Sequence, residues 1–218
     1  MRPSRRGLAR GLLAATALAC GGCTPTRPVE LPEHDGSTAR LVIDVRDPVA
    51  FAAGHDPGAL NLQWGWNQLP ERIAAYVPDR ETPLAVRAAT PVEAAIAAGL
   101  LEGRGYVDVT SAPAEPGSTT LPTTTARSLA ARLDAGEDLH VLDVRERWEH
   151  ALGTIPGATK VDPDEAPSLL PTLDPEADHF VICEAGYRSG QLASWLRRHG
   201  LRATNVIDGM AGWRALDR

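Results

Sequence analysis

Lysine is almost absent from this chain: of its 22 basic residues, one, Lys160, is not arginine. Aromatic side chains make up 5% of the residues. Together with heavy use of alanine, glycine and arginine, this bias reflects a GC-rich genome rather than a function. Positive charge is short overall, with 22 basic residues against 28 acidic ones. The first 22 residues carry four arginines and no acid, so the rest is more acidic still. A surface of that sign excludes nucleic acid and anionic lipid as partners, because both need clustered Lys and Arg. The six histidines form no ligand-spaced cluster with acids or cysteines, so no metal is expected, and no organic cofactor is implied. Cysteines are scarce as well, at three: Cys20, Cys23 and Cys183.

The N-terminus has the layout of an export signal. Met1–Arg10 is basic, Gly11–Ala19 is apolar, and Cys20-Gly21-Gly22-Cys23 follows. The apolar run is too short for a membrane span, which needs ~20 residues. Ser4-Arg5-Arg6-Gly7-Leu8-Ala9-Arg10 resembles the twin-arginine export pattern. A cysteine after small residues also resembles a bacterial lipoprotein processing site, with Cys23 the expected lipidated residue, although no leucine stands three positions before Cys23 or Cys20. Plain cleavage nearby is the alternative. The expected location is the periplasm or cell envelope, and a membrane is met only through a lipid anchor, if one is attached. Processing at Cys23 leaves Cys183 as the single thiol, and an unpaired thiol in an exported protein calls for an explanation.

After a tether (24–39), the chain repeats itself. Asp-Val-Arg at 44–46 returns at 143–145, and Pro-Gly-Ala at 57–59 returns at 156–158, an offset of 99 residues both times. That is a duplicated domain rather than a solenoid, whose periods run ~20–50 residues. The expected units are 40–111 and 126–218. Ser111–Thr125, rich in Ser, Thr, Pro, Ala and Gly, has linker composition, and the linker is set at 112–125.

In the second unit Leu139–Val144, His179–Ile182 and Asn205–Ile207 read as strands. Arg145–Ala151, Ser189–His199 and Met210–Leu216 read as helices, with Ser189 as an N-cap. Leu192, Trp195 and Leu196 fall at i, i+3, i+4 and define a packing face. Trp148, Trp195 and Trp213 are expected in the core. Asp143 and Arg145 read as a structural pair at a strand end, and Pro156-Gly157 and Gly209 as turns. Alternating strands and helices imply an α/β fold with a parallel sheet covered by helices.

Asp-Val-Arg after a strand, then Gly153-Thr154-Ile155-Pro156-Gly157-Ala158, the loop Cys183-Glu184-Ala185-Gly186-Tyr187-Arg188-Ser189 and the closing Asp208-Gly209-Met210-Ala211-Gly212-Trp213 together resemble a rhodanese domain. Arg40–Ser111 resembles the same domain more weakly. The resemblance implies two rhodanese-like domains, each a parallel sheet flanked by helices on both faces. It implies sulfur transfer: Cys183 as the nucleophile, Glu184 to Ser189 as the substrate-binding loop, a small sulfur-containing donor, and a thiol or cyanide as acceptor. Cysteine phosphatases of similar fold have a loop one residue longer; Cys183 to Arg188 spans six residues, the sulfurtransferase length.

The loop suits that chemistry. Sulfur transfer needs a thiolate that attacks a donor and holds the sulfur as a persulfide, and a free cysteine is mostly protonated at neutral pH. A tight turn between strand and helix aims backbone N–H groups at an anion, and Gly186 permits such a turn. Arg188 either holds an anionic substrate or pins the loop through carbonyls and an acid. Glu184 opposes an anionic donor if it faces the pocket and is neutral to it if it points outward. Counting from the strand sets Arg87 opposite Cys183, so the first unit has no nucleophile and supports the second. The competing reading is a non-catalytic binding module on two rhodanese-like scaffolds.

Overall fold

The computed structural model describes residues 40–65 and 68–216. The expected export signal (1–23), Cys20, Cys23 and the tether lie outside the described residues. Among the described residues no helix is long and apolar enough to cross a membrane.

The first unit runs β1 (Leu41–Asp44), α1 (Pro48–Ala53), β2 (Leu60–Asn61), α2 (Gln68–Tyr76), β3 (Leu84–Ala88), α3 (Pro91–Gly103) and β4 (Val109–Pro113). Its four strands pair in parallel in the order β2-β1-β3-β4. The second unit runs β5 (Thr123–Thr124), α4 (Ala126–Asp134), β6 (His140–Asp143), α5 (Arg147–His150), β7 (Thr159–Lys160), a 3-10 helix (Ala166–Thr172), β8 (Asp178–Ile182), α6 (Tyr187–Arg198), β9 (Arg202–Val206) and α7 (Gly209–Arg214). Its sheet is parallel, in the order β5-β9-β8-β6-β7. The architecture is α/β with two parallel sheets flanked by helices, as the sequence predicts.

Strand alternation explains how helices come to cover both faces of the second sheet, since successive side chains leave a strand in opposite directions. On β6 and β8, Val141, Phe180 and Ile182 join Leu129 of α4 and Met210 of α7 in one cluster. Leu142 and Val181 join Leu192 and Leu196 of α6, and Leu170, in another. This second cluster also takes in Phe51 and Ala59 of the first unit, so the two units share a core.

Helix α6 lies in that shared layer. Every residue from Ser189 to Ser194 is buried, and Leu196 with them. The small residues of α6 allow the close fit: a Cβ added at Gly190 would stand 3.3–3.4 Å from Asn205 of its own unit and from Asn61 and Pro48 of the other. Ser194 Oγ accepts the backbone N–H of Asn61 at 3.0 Å, which satisfies a donor on the edge strand β2. Arg198 donates to the Gly58 carbonyl at 2.7 Å, and Trp195 meets Tyr76 edge-on with ring centroids 5.7 Å apart.

The Ser/Thr/Pro-rich connection is packed against the first unit: His55 and Thr119 exchange backbone hydrogen bonds of 2.9 and 3.3 Å, and Leu121 is buried in the shared core. The pairing that orders it is with residues far away in sequence. One expectation is corrected here. Of the three tryptophans, Trp195 and Trp213 pack against cores, whereas Trp148 is 69% exposed. Helix α5 is a single turn, and its buried residue is Glu149, so the neighbouring indole is turned outward.

Burial holds the imidazoles of His55, His179 and His199 below their ordinary pKa, against hydrogen bonds to the backbone carbonyls of Phe51, Asp174 and Trp195 that act the other way. The folded state therefore binds these protons more weakly than the unfolded chain. Their contribution to stability is complete above the unfolded value of about 6.5 and is lost as pH falls through the lower folded values. The melting temperature is expected to be lower at pH about 5 than at about 7.5; equal values at the two pH settings contradict this.

Candidate active site

Strand β8 ends at Ile182, and Cys183 follows at the carboxyl end of a central parallel strand, where open α/β sheets place ligands. The thiol is 1% exposed. Helix α6 begins four residues later, with Gly186 as its N-cap and no side chain capping it. Two contacts hold the loop from below: Met210 N–H donates to the Cys183 carbonyl at 2.8 Å and Ala211 N–H to the Glu184 carbonyl at 3.1 Å. Asn205 Nδ2 donates to the Gly186 carbonyl at 3.0 Å. At two positions only glycine fits. Gly186 has φ 86°, and a Cβ there would lie 2.2 Å from the Ile207 carbonyl oxygen. Gly209 has φ 57°, and its Cβ would lie 2.4 Å from the Glu184 carbonyl oxygen.

The predicted loop residues are brought together. Ser189 is not the helix cap: the left-handed Gly186 starts the helix earlier, which places Ser189 inside the first turn. There it is fully buried, and its hydroxyl donates to Cys183 Sγ at 3.3 Å. Arg188 pairs with acids, as one of its two readings required. Its Nη2 donates to Glu149 Oε1 at 2.8 Å, its Nη1 to Glu149 Oε2, and Glu146 Oε1 lies 3.5 Å from Nη1. Burial lowers the Arg188 pKa, but the Glu149 hydrogen bond and the charges of Cys183, Glu149 and Glu146 raise it further. Glu184 is turned to Arg214 on α7, whose Nη1 donates to it at 3.1 Å, and its Oε2 is 3.9 Å from Arg145 Nη1. Ala185 is exposed, and Tyr187, the first residue of α6, is 38% exposed.

Beneath the loop lies a fully buried ion pair. Arg145 Nε and Nη2 donate to the two carboxylate oxygens of Asp143 at 2.9 and 2.8 Å. The remaining guanidinium hydrogens reach the carbonyls of Glu149 at 3.2 Å and Gly153 at 2.6 Å. Thr154 Oγ1 adds a hydrogen bond to Asp143 at 2.6 Å. Burial pushes the Asp143 pKa up, yet these bonds outweigh it and hold the carboxyl below its usual range. Glu149 is held down the same way, burial opposed chiefly by Arg188. The pair braces α5 and the 153–154 turn against β6, and through Glu149 it orients Arg188.

The first unit's loop is corrected by one residue. Asp44 pairs with Arg87 as Asp143 pairs with Ile182. Val45 N–H donates to the Arg87 carbonyl and Val144 N–H to that of Ile182, both at 2.8 Å. Ala88, not Arg87, therefore stands where Cys183 stands, and Arg87 turns to Asp56 at 3.2 Å. The conclusion that this unit has no thiol is unchanged. Helix α3 starts one residue sooner after its strand, and Thr90 and Glu93 cap it reciprocally behind Pro91. Side chains thus occupy the helix end that α6 leaves open. A cavity of about 210 Å3 remains at these strand ends, with Arg46, Asp47, Trp64, Ala88 and Glu93 in its walls.

Sequence reasoning missed Glu146 and Glu149, the acids that hold Arg188, and Arg214, which holds Glu184. The first two carried a signal in their i, i+3 spacing ahead of a short helix, and they form a capping box there.

A sequence model of the rhodanese-like domain matches residues 28–112 and again residues 125–216. The Bacillus subtilis protein YtwF is 35% identical over 86 residues, 39% of this chain and 84% of that protein. The thiosulfate sulfurtransferase GlpE of Pseudomonas putida is 34% identical over 89 residues, 40% of this chain and 73% of its own length. Among solved structures, a rhodanese-like domain protein from Staphylococcus aureus is 29% identical, covering 43% of this chain and 91% of its own, with a TM-score of 0.41.

Removing one partner of a buried ion pair strands the other, at a typical cost of about 3–5 kcal/mol. Arg145→Ala is expected to destabilise the chain on that scale by chemical denaturation, and more than Arg46→Ala, whose side chain is 14% exposed. Equal losses in the two variants contradict this.

Proposed function

The chain belongs to the rhodanese-like domain family, and from that premise we propose that its second unit is a sulfurtransferase working through a Cys183 persulfide. The observation that carries the reading is the contrast between the two strand ends. In one, a thiol stands under a helix N-terminus that no side chain caps; in the other, an alanine stands under a helix closed by Thr90 and Glu93. A helix end left open suits a bound anion, through its N–H groups and dipole.

The reaction runs in two displacements. The Cys183 thiolate attacks the outer sulfur of thiosulfate or a related donor; a new S–S bond forms, and the donor's S–S bond breaks with its electron pair leaving on sulfite (thiosulfate), a sulfinate (a thiosulfonate) or a thiolate (a persulfide). An acceptor thiolate or cyanide then attacks the outer sulfur of the persulfide, and the Cys183 thiolate departs. The Ser189 hydroxyl, within hydrogen-bond reach of Sγ, is suited to stabilise the thiolate in both steps. The guanidiniums near the loop are already paired with Glu149, Asp143 and Glu184. Anion stabilisation in this reading therefore falls mainly on the open helix end. The relation to a thiosulfate sulfurtransferase supports the reaction class. The first unit is read as support for the second.

The export layout of residues 1–23 carries the second part of the proposal: the protein acts in the periplasm or cell envelope, with Cys23 as the anchor position. In a bacterial host, the mature chain is expected to begin at Cys23 and to incorporate labelled fatty acid. A chain starting at Met1 in the cytoplasm would sink this assignment.

For the chemistry, incubation with thiosulfate, a thiosulfonate or a persulfide is expected to add one sulfur atom to Cys183, seen by intact mass and peptide mapping. The gain disappears on cyanide treatment and is absent in Cys183→Ala. A folded protein that takes up sulfur from none of the three donors would leave the binding-module reading in its place.

A further inference from the structure

The acids that hold Arg188 are themselves held from the other unit. Arg72 lies on α2 of the first unit with its side chain 12% exposed. Its Nη2 donates to Glu146 Oε1 at 2.7 Å and its Nη1 to Asp164 Oδ1 at 2.7 Å, both in the second unit. The same Glu146 oxygen is 3.5 Å from Nη1 of Arg188, and Glu146 N–H donates to Glu149 Oε2 at 2.8 Å. Two guanidiniums and two carboxylates therefore alternate, Arg72–Glu146–Arg188–Glu149, with Asp164 at the Arg72 end.

We propose that Arg72 is a positioning residue for the Cys183 site: by holding Glu146, the unit without a thiol keeps the positive field of Arg188 on the thiol of its twin. Without Arg72, Glu146 has Arg188 as its remaining cationic partner in the quartet. Arg188 then faces two carboxylates, and the quartet carries a net negative charge. Arg188 stands in the first turn of α6, next to the Ser189 whose hydroxyl reaches Cys183 Sγ at 3.3 Å, and its charge favours a Cys183 thiolate, so an added negative charge there opposes the reactive form of the thiol. The inference rests on the sulfur-transfer reading only in taking Cys183 as the working thiol, and it gives the first unit a chemical task beyond packing.

The test is the rate of Cys183 carbamidomethylation in the full chain at pH 7, read by peptide mapping so that other thiols do not contribute. Arg72→Ala is expected to slow the reaction at least about threefold. Arg72→Lys keeps the charge and stays near the wild-type rate. Glu146→Gln, which removes the acid instead, speeds the reaction, and Arg72→Ala combined with Glu146→Gln returns towards wild type. Arg104→Ala, which removes a surface pair with Glu71 on the same helix, leaves the rate unchanged. Should Arg72→Ala fail to fold, Glu146→Gln still decides, because a purely structural role predicts no acceleration. A wild-type rate in Arg72→Ala, a slowing in Glu146→Gln, a double variant no faster than Arg72→Ala, or an equal loss in Arg104→Ala would each overturn the proposal. Alkylation needs no sulfur donor, so its failure is distinct from a failure of Cys183 to take up sulfur.

Discussion

Helix α6 is buried from both sides, and the rest of the molecule is arranged around that fact. One side packs on the sheet of its own unit through Leu192 and Leu196, and the other meets β2 and α1 of the first unit through Gly190 and Ser194. A helix covered on both sides needs small residues where backbones approach and a partner for every polar group it buries. Ser194 meets the second need by taking an N–H from the edge strand of the neighbouring sheet. Because the reactive loop is the N-terminal entry to this helix, the loop inherits its rigidity. Its floor comes from the start of α7, where Gly209 and the amides of Met210 and Ala211 press against the carbonyls of Cys183 and Glu184.

The duplicated units show how little must change to turn one strand end from a chemical site into a closed one. Both units keep an Asp and an Arg two residues apart, and in both the guanidinium ties that acid to the turn ahead of the Pro-Gly-Ala motif: Arg46 reaches the Gly54 carbonyl at 2.8 Å, and Arg145 reaches that of Gly153 at 2.6 Å. The scaffold is thus retained where the chemistry is not. What differs is the segment from strand to helix. Four residues with a left-handed glycine leave the helix end open; three residues with Thr90, Pro91 and Glu93 fill it. The first arrangement forgoes a cap that is typically worth ~1 kcal/mol. A helix end without that stabilisation is consistent with one kept free for a ligand.

Local patterns made much of this legible in advance. The alternation of strands and helices, the repeated Asp-Val-Arg and Pro-Gly-Ala landmarks, the span of β8 and the C-terminal end of α6 follow from short-range periodicity and turn chemistry. What was misplaced depends on partners distant in sequence. Arg87 was set opposite Cys183 by counting along one strand, whereas register is decided by hydrogen bonds to β1, and a slip of one residue exchanges the faces of a strand. Ser189 looked like a cap because serine favours that position, but Gly186, at φ 86°, turns the chain earlier. Trp148 is expected in a core, but a one-turn helix has one inward position here, and Glu149 holds it. The packing of Thr119 and Leu121 onto the first unit left no trace in a composition that reads as linker.

The same distinction accounts for the charges around Cys183. Glu184 beside a nucleophile and Glu149 in a buried position look unfavourable when read singly. In the fold each is answered: Glu184 by Arg214, Glu149 by Arg188, Asp143 by Arg145, and Glu146 by Arg72 from the other unit. Burying charge is tolerable only when pairing and hydrogen bonding are this complete. Arg145 shows the limiting case, with its hydrogen bonds divided between a carboxylate and two carbonyls and no exposed face left for a ligand. Arg188 is less enclosed, and it closes the loop that Cys183 opens, next to the Ser189 whose hydroxyl reaches Sγ. The acids around it therefore set how much positive charge Cys183 experiences, and one of them is anchored by a residue 74 positions away in sequence, across the interface between the units. A sheet without a thiol at its strand end still has a surface, and through Arg72 on that surface it meets the acids around Arg188.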